Sequence, residues 1–327
     1  MYIAQVQNTL HDWWRYIIGV IIAIVGVFVF SVPHLIGLGY KVAQGELEAS
    51  QLEDVSAVMT AFSSNVNLIF IILPFLGGLL FLLFAVKKLH EQSITSLTTA
   101  RKTVDWKRIF FAFFFWGILS SGLVLLDYAV TPEDYVLNFN WQPFIILCLI
   151  SFLLLPFQTS FEEYLFRGYL MQGIGYFVKN KWFPLLLTSV VFGLLHIANP
   201  EVDKLGYGVM VYYIGTGLFL GILTLMDDGM ELALGFHAAN NIFTALLVTA
   251  DWTALQTDSI FKDISDPSLG FVELIAPVFI MFPLLLFIFG KVYKWNNWKE
   301  RLIGKVNVYQ KPVDPDYSIL SDAEDLE

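Results

Sequence analysis

Residues 144–168 read Phe144-Ile-Ile-Leu-Cys-Leu-Ile-Ser-Phe-Leu-Leu-Leu-Pro-Phe157, then Gln-Thr-Ser, then Phe161-Glu-Glu-Tyr-Leu-Phe-Arg-Gly168. The run from Phe144 to Phe157 is apolar apart from Ser151 and Pro156, and two adjacent carboxylates and an arginine follow closely. About 20 mostly apolar residues cross the hydrocarbon of a bilayer, so this stretch reads as a transmembrane helix. A carboxylate at bilayer depth is costly, and charge retained there points to function.

The rest of the chain extends the membrane reading. Its 327 residues are 57% hydrophobic and 15% charged, with a mean hydropathy of +0.65, whereas soluble domains carry about 25% charged residues. Eight windows suit a span: 16–37, 66–86, 109–128, 143–165, 182–199, 206–226, 231–250 and 270–290. The expected fold is all-α, a polytopic membrane helix bundle of about eight transmembrane helices. Pro74, Pro156, Pro277 and Pro283 lie inside these windows, which membrane helices tolerate because neighbouring groups satisfy the freed backbone. The first window is too long for a signal-peptide core and lacks a small-residue cleavage site, so it reads as a retained span.

Lys and Arg distribution sets orientation. Six basic residues lie between windows two and three (Lys87, Lys88, Arg101, Lys102, Lys107, Arg108) and six follow window eight (Lys291, Lys294, Lys299, Arg301, Lys305, Lys311). Arg15, Lys179 and Lys181 fall on the same side if spans alternate, against Lys41, Lys204 and Lys262 on the other. Both termini are therefore expected in the cytoplasm. The loop from Asp227 to Glu231 is acidic yet falls on the basic side; acidic residues weigh little in this rule. The polar stretch 91–107 is expected to lie partly as a surface helix.

Much of the net charge of −10 sits in the last residues, among them Asp314, Asp316, Asp322, Glu324, Asp325 and Glu327, which read as a solvated, disordered tail. No basic stripe points to nucleic acid. The single cysteine, Cys148, rules out an intramolecular disulfide and a thiolate-rich metal site. The expected partners are membrane lipid and a peptide or protein substrate reached from the membrane or the cytoplasmic side.

Three short patterns carry the chemistry. Glu163 and Arg167 are four apart, on one helical face, with the acid N-terminal as helix ion pairs prefer. Glu162 points about 100° away and has no such partner. An unpaired carboxylate in a low-dielectric setting suits a general base. His196 ends Val190-Val-Phe-Gly-Leu-Leu-His196, with Phe192 one turn before it. His237 opens His-Ala-Ala-Asn-Asn, with Asn241 four residues on and Asn240 as the neighbouring alternative. An imidazole N–H and a carboxamide N–H pointing into one cavity form a donor pair for a developing oxyanion. A base, a histidine and a donor pair on three spans are the parts for water attack on an amide carbonyl. Gly217 and Gly221 give the sixth window a GxxxG face for close approach. The chain has no His-Glu-x-x-His and no Gly-x-Ser-x-Gly pattern. No cofactor is expected, though two histidines and two glutamates leave zinc open on residue types alone.

Glu-Glu-x3-Arg, Phe-x3-His and His-x3-Asn, in that order on successive helices, resemble the CPBP family. It includes the type II CAAX prenyl endopeptidases and bacterial Abi and lysostaphin-resistance-protein-A-like proteins. The resemblance covers about residues 143–250 and implies glutamate-dependent intramembrane proteolysis. It implies Glu162 as the base that activates water, His196 assisting, His237 and Asn241 on the oxyanion, and Glu163, Arg167 and Phe192 in support. The chain then divides into an N-terminal region of three spans (1–142), a catalytic core (143–250), a C-terminal span with a basic cytoplasmic segment (251–306) and the acidic tail (307–327). The implied setting is a bacterial inner membrane. A non-catalytic scaffold or immunity protein on the same fold, a metal-dependent protease and a proton-coupled transporter are the rival readings. One difficulty is geometric. If the fourth span stopped at Leu165, Glu162 and His196 would sit near opposite faces, about 15–20 Å apart at about 1.5 Å per residue. They meet if the fourth helix runs on toward Val178 or if the fifth is displaced inward, and the proline-free stretch Tyr164 to Phe177 favours the long helix.

Overall fold

The computed structural model describes residues 1–266 and 275–307. Five helices are long and apolar enough to cross a membrane. They are α1 (Trp13–Gln44), α2 (Ser64–Leu89), α3 (Trp106–Val130), α4 (Trp141–Val178) and the helix Tyr207–Asp227. Between the last two lies α5 (Trp182–Leu194); the α-helical body of Tyr207–Asp227 is α6 (Met210–Asp227), followed by α7 (Glu231–Leu247). The last apolar helix, α8, covers Pro277–Val292. The protein is a polytopic membrane helix bundle. The start of the 270–290 window and the acidic tail lie outside the described residues.

Two features bear on the geometric difficulty: the long fourth helix, as expected, and a fifth that ends early. Helix α4 runs unbroken for 38 residues, through a π-helical stretch at Tyr164–Leu170. Helix α5 stops at Leu194 rather than reaching residue 199, and its 13 residues rise only about 20 Å, short of the roughly 30 Å hydrocarbon. His196 follows, partly buried, in a turn at that truncated end. The stretch 91–107 contributes the short helix Ile94–Thr98, capped by the Ser93 hydroxyl accepting from the Ser96 N–H, and its last two residues open α3. The fold also has a minor β component. Strands β1 (Tyr135–Leu137), β2 (Val248–Thr249) and β3 (Phe261–Asp263) form one small sheet in the order β1-β3-β2.

Packing is tightest where small residues let backbones meet. A Cβ on Gly26 of α1 would lie 2.4 Å from the carbonyl oxygen of Gly77 on α2, and one on Gly217 of α6 would lie 2.7 Å from that of Ser189 on α5. The close approach expected of Gly217 is therefore present. An aromatic core of Trp116, Phe219, Phe236, Phe282 and Phe289 joins α3, α6, α7 and α8. Helix α7 is the hub: it packs on α3 and α4, and most of its residues are buried.

Contacts gather the basic loops at one end. Arg101 pairs with Asp227 at 3.0 Å and Glu231 at 3.1 Å, and Arg108 pairs with Asp227 at 2.5 Å. Arg301 pairs with Asp228 at 2.8 Å, and the Tyr2 backbone N–H donates to Asp228 at 3.1 Å. Lys181 Nζ donates to the Glu300 carbonyl at 2.6 Å. The acidic loop that seemed out of place on the basic side is thus the counter-charge of Arg101 and Arg108.

Candidate active site

Helix α4 delivers both carboxylates at its central, buried portion. Glu163 and Arg167 are fully buried, and Glu162 is 8% exposed. Arg167 Nη1 donates to Glu163 Oε1 at 3.0 Å, as the four-residue spacing anticipates, and Nη2 donates to the Gly217 carbonyl at 3.1 Å. That carbonyl is reachable because α5 and α6 close up at Gly217. The guanidinium also lies over the Phe192 ring, 4.3 Å from its centroid.

Helix α7 brings His237 against both glutamates. Its Nδ1 lies 2.8 Å from Glu163 Oε1 and its Nε2 lies 3.5 Å from Glu162 Oε2. Because an ionised carboxylate only accepts, Nδ1 donates to Glu163 and the ring edge carrying Nε2 faces Glu162. Glu163 Oε1 therefore takes donors from both α4 and α7. Neither Glu162 Oε2 nor Glu163 Oε2 has a hydrogen bond among the described residues.

Glu162 is not without partners. Gln158, four residues earlier on α4, donates from Nε2 to Glu162 Oε1 at 2.6 Å. Asn241 Nδ2 donates to Gln158 Oε1 at 2.9 Å, and Asn240 Nδ2 to Asn241 Oδ1 at 3.2 Å. The indole Nε1 of Trp116 donates to Asn240 Oδ1 at 3.1 Å.

His196 stands one layer away. Its Nδ1 lies 2.9 Å from the Phe192 carbonyl. A carbonyl accepts, so Nδ1 is the donor and Nε2 of the neutral ring the acceptor. The ring stacks on Tyr213 at 4.4 Å and meets Phe192 at 5.0 Å, while Phe192 meets His237 at 6.1 Å. Phe192 is thus the hinge between the two histidines and the arginine.

The structure brings Glu162, Glu163, Arg167 and His237 into direct contact, joins Asn241 through Gln158, and reaches His196 through Phe192. Sequence reasoning missed Gln158, Trp116 and Tyr213. Gln158 had a signal, since it sits four residues before Glu162 on the same face. Trp116 is one of nine tryptophans and had none. Among the described residues, no three His, Cys, Asp or Glu side chains are grouped to hold a metal ion.

Residues 140–243 match the family of Rce1-like type II CAAX prenyl endopeptidases. The chain is 34% identical over 166 residues to the uncharacterized protein YyaK of Bacillus subtilis (strain 168), an alignment covering 50% of this chain and 56% of that protein. It therefore spans little more than half the length of that relative. No solved structure matches it.

Proposed function

From the premise that residues 140–243 form a domain of the Rce1-like type II CAAX prenyl endopeptidase family, we propose that the protein is an intramembrane endopeptidase of the glutamate type. The observation that carries this reading is the unequal treatment of two neighbouring carboxylates. Glu163 Oε1 takes the charged Arg167 and His237 Nδ1–H together, while Glu162 accepts only from the neutral carboxamide of Gln158 and turns Oε2 toward His237 Nε2. A carboxylate paired with an arginine holds its charge against that partner; one held only by a neutral carboxamide is the better placed to take up a proton as a general base.

In this reading Glu162 Oε2 takes a proton from water, and the hydroxide attacks the peptide carbonyl carbon. His196, through its accepting Nε2, helps orient that water. The oxyanion meets Asn241 Nδ2–H and the His237 ring edge that carries Nε2. Glu162 then returns the proton to the departing amide nitrogen as the C–N bond breaks. Glu163 and Arg167 hold His237 and α4 in register beneath this site, with Phe192 packed against both. The substrate is a membrane-associated or lipid-modified peptide, reached from the membrane or the cytoplasmic side, and the catalytic core is placed at 143–250. The protein is placed in the bacterial cell membrane with both termini in the cytoplasm.

The test compares membrane peptidomes of cells holding the wild-type protein or Glu162→Gln, a change that keeps shape and deletes the base. Cleavage products should appear only with the wild-type protein. Products that persist in a folded Glu162→Gln protein would overturn the assignment, and the absence of any product with either would favour a non-catalytic scaffold.

A further inference from the structure

The hydrogen bonds that reach Glu162 from α3 form a single directed chain: Trp116 to Asn240, Asn240 to Asn241, Asn241 to Gln158 and Gln158 to Glu162. We propose that Trp116, Asn240 and Gln158 are positioning residues, a carboxamide relay that fixes the orientation of both Glu162 and Asn241. The inference rests on the endopeptidase reading above for the roles of those two groups.

Each carboxamide in the chain has one accepting end and one donating end, so any of them taken alone can turn over. The two termini remove that freedom. An ionised carboxylate at Glu162 only accepts, and an indole N–H at Trp116 only donates. Gln158 must therefore present its NH₂ to Glu162 and its oxygen to Asn241. Asn241 must then present its NH₂ to Gln158 and its oxygen to Asn240, which in turn offers its oxygen to the indole. Reversing any one amide sets oxygen against oxygen and NH₂ against NH₂ on its two sides. Such mismatches are expensive where water is scarce.

Two functional consequences follow. One Nδ2–H of Asn241 is used by Gln158 and its oxygen is used by Asn240, so the second Nδ2–H is the group left to meet an oxyanion. Gln158 also fixes which carboxylate oxygen of Glu162 is occupied: Oε1 is held, and Oε2 is left toward His237. A carboxamide at Gln158 thereby ties the base and the oxyanion donor to each other across α4 and α7. The far end of the relay, Trp116, lies on α3, outside residues 140–243 that match the family. The N-terminal region thus reaches the relay through the Trp116 indole N–H.

A purely structural role for Trp116 is the competing explanation, because its ring also packs on Phe236 at 4.7 Å. The two are separable by coupling. The full-length protein in lipid nanodiscs is assayed with an internally quenched peptide bearing a farnesylated CAAX terminus. Gln158→Met, which keeps length and removes both hydrogen bonds, should lower kcat about ten- to a hundredfold, the range for a hydrogen bond to a charged group, with KM nearly unchanged. Trp116→Phe, which keeps an aromatic ring, should lower kcat about two- to tenfold. In Gln158→Met/Trp116→Phe the second loss should vanish, because the link between them is already cut. Losses that multiply, or a Trp116→Phe protein with wild-type kcat, would overturn the relay.

A second readout does not depend on cleavage. Infrared spectra of ¹³C-glutamate-labelled protein, taken as wild type minus Glu162→Gln, isolate the Glu162 carboxylate stretch. That band should move in Gln158→Met and move less, in the same direction, in Trp116→Phe. A band unmoved in both overturns the proposal. If the wild-type protein leaves the peptide intact while the band moves as expected, the relay stands and the substrate reading fails. If Gln158→Met does not fold, the band in Trp116→Phe decides alone.

Discussion

Two ionic networks in this bundle use the same residue types in opposite ways. In the middle, the side chains of Glu163 and Arg167 are 0% exposed and that of His237 is 8% exposed. At the basic end, Arg101 and Arg108 are 27% and 20% exposed and meet Asp227 and Glu231. The end network keeps its arginines within reach of water, while its carboxylates Asp227 and Glu231 are buried. The central network has no such relief. Each of its charges is stable only because the others are there, and it still carries Glu162 with an oxygen that has no hydrogen bond. In the proposed reading the central charge serves chemistry, whereas the charge at the end holds loops together.

The largest effect expected from this contrast is on stability. Glu163→Gln strands Arg167 in the interior and should cost about 3–5 kcal/mol, the usual result of breaking a buried pair. Glu162→Gln, which leaves the Glu163–Arg167 pair untouched, should unfold close to the wild-type midpoint. Denaturation of both in the same detergent checks this, and equal midpoints would erase the distinction between the two carboxylates. Next comes Asn241→Ala, which should lower turnover by about 10²–10³, as loss of one oxyanion donor does, with KM little altered. A KM effect alone would move Asn241 from the reacting centre to substrate binding. Smaller still is Arg101→Gln at the basic end, expected to cost about 1–3 kcal/mol, because Asp227 keeps Arg108 and Glu231 keeps the Asp105 backbone N–H, and to cost less as salt rises. A loss as large and as salt-insensitive as that of Glu163→Gln would show the two networks to be alike. Finally, reporter fusions after residues 95 and 305 should report the cytoplasm, and those near 135 and 260 the opposite side. A non-cytoplasmic signal at 95 would invert the basic end.

Much of the bundle was readable from periodicity and composition, because a lipid solvent leaves a chain few choices: apolar runs of sufficient length become helices whose backbone bonds are satisfied internally. The pairing of Glu163 with Arg167 was readable for a similarly local reason, since i and i+4 share a face wherever the helix goes. The short β-strands and the early end of α5 were not. Residues 195–199 are apolar enough to continue a helix, and they turn instead where the chain must pass from α5 into the short helix Pro200–Leu205.

The contacts among helices were decided by packing alone. Nothing in the spacing of Trp116, Asn240 and Gln158 places them in one hydrogen-bonded line, because they lie on α3, α7 and α4 and meet only after those helices have docked. The same holds for His237, whose approach to Glu162 and Glu163 depends on the fit of α7 against α4. Local sequence thus chose the helices and supplied the ionisable groups. Which of two adjacent glutamates meets the arginine and the histidine Nδ1–H and which meets only a neutral carboxamide was settled by the tertiary structure, since in a low-dielectric interior a carboxylate's state is set by the donors brought to it from its surroundings.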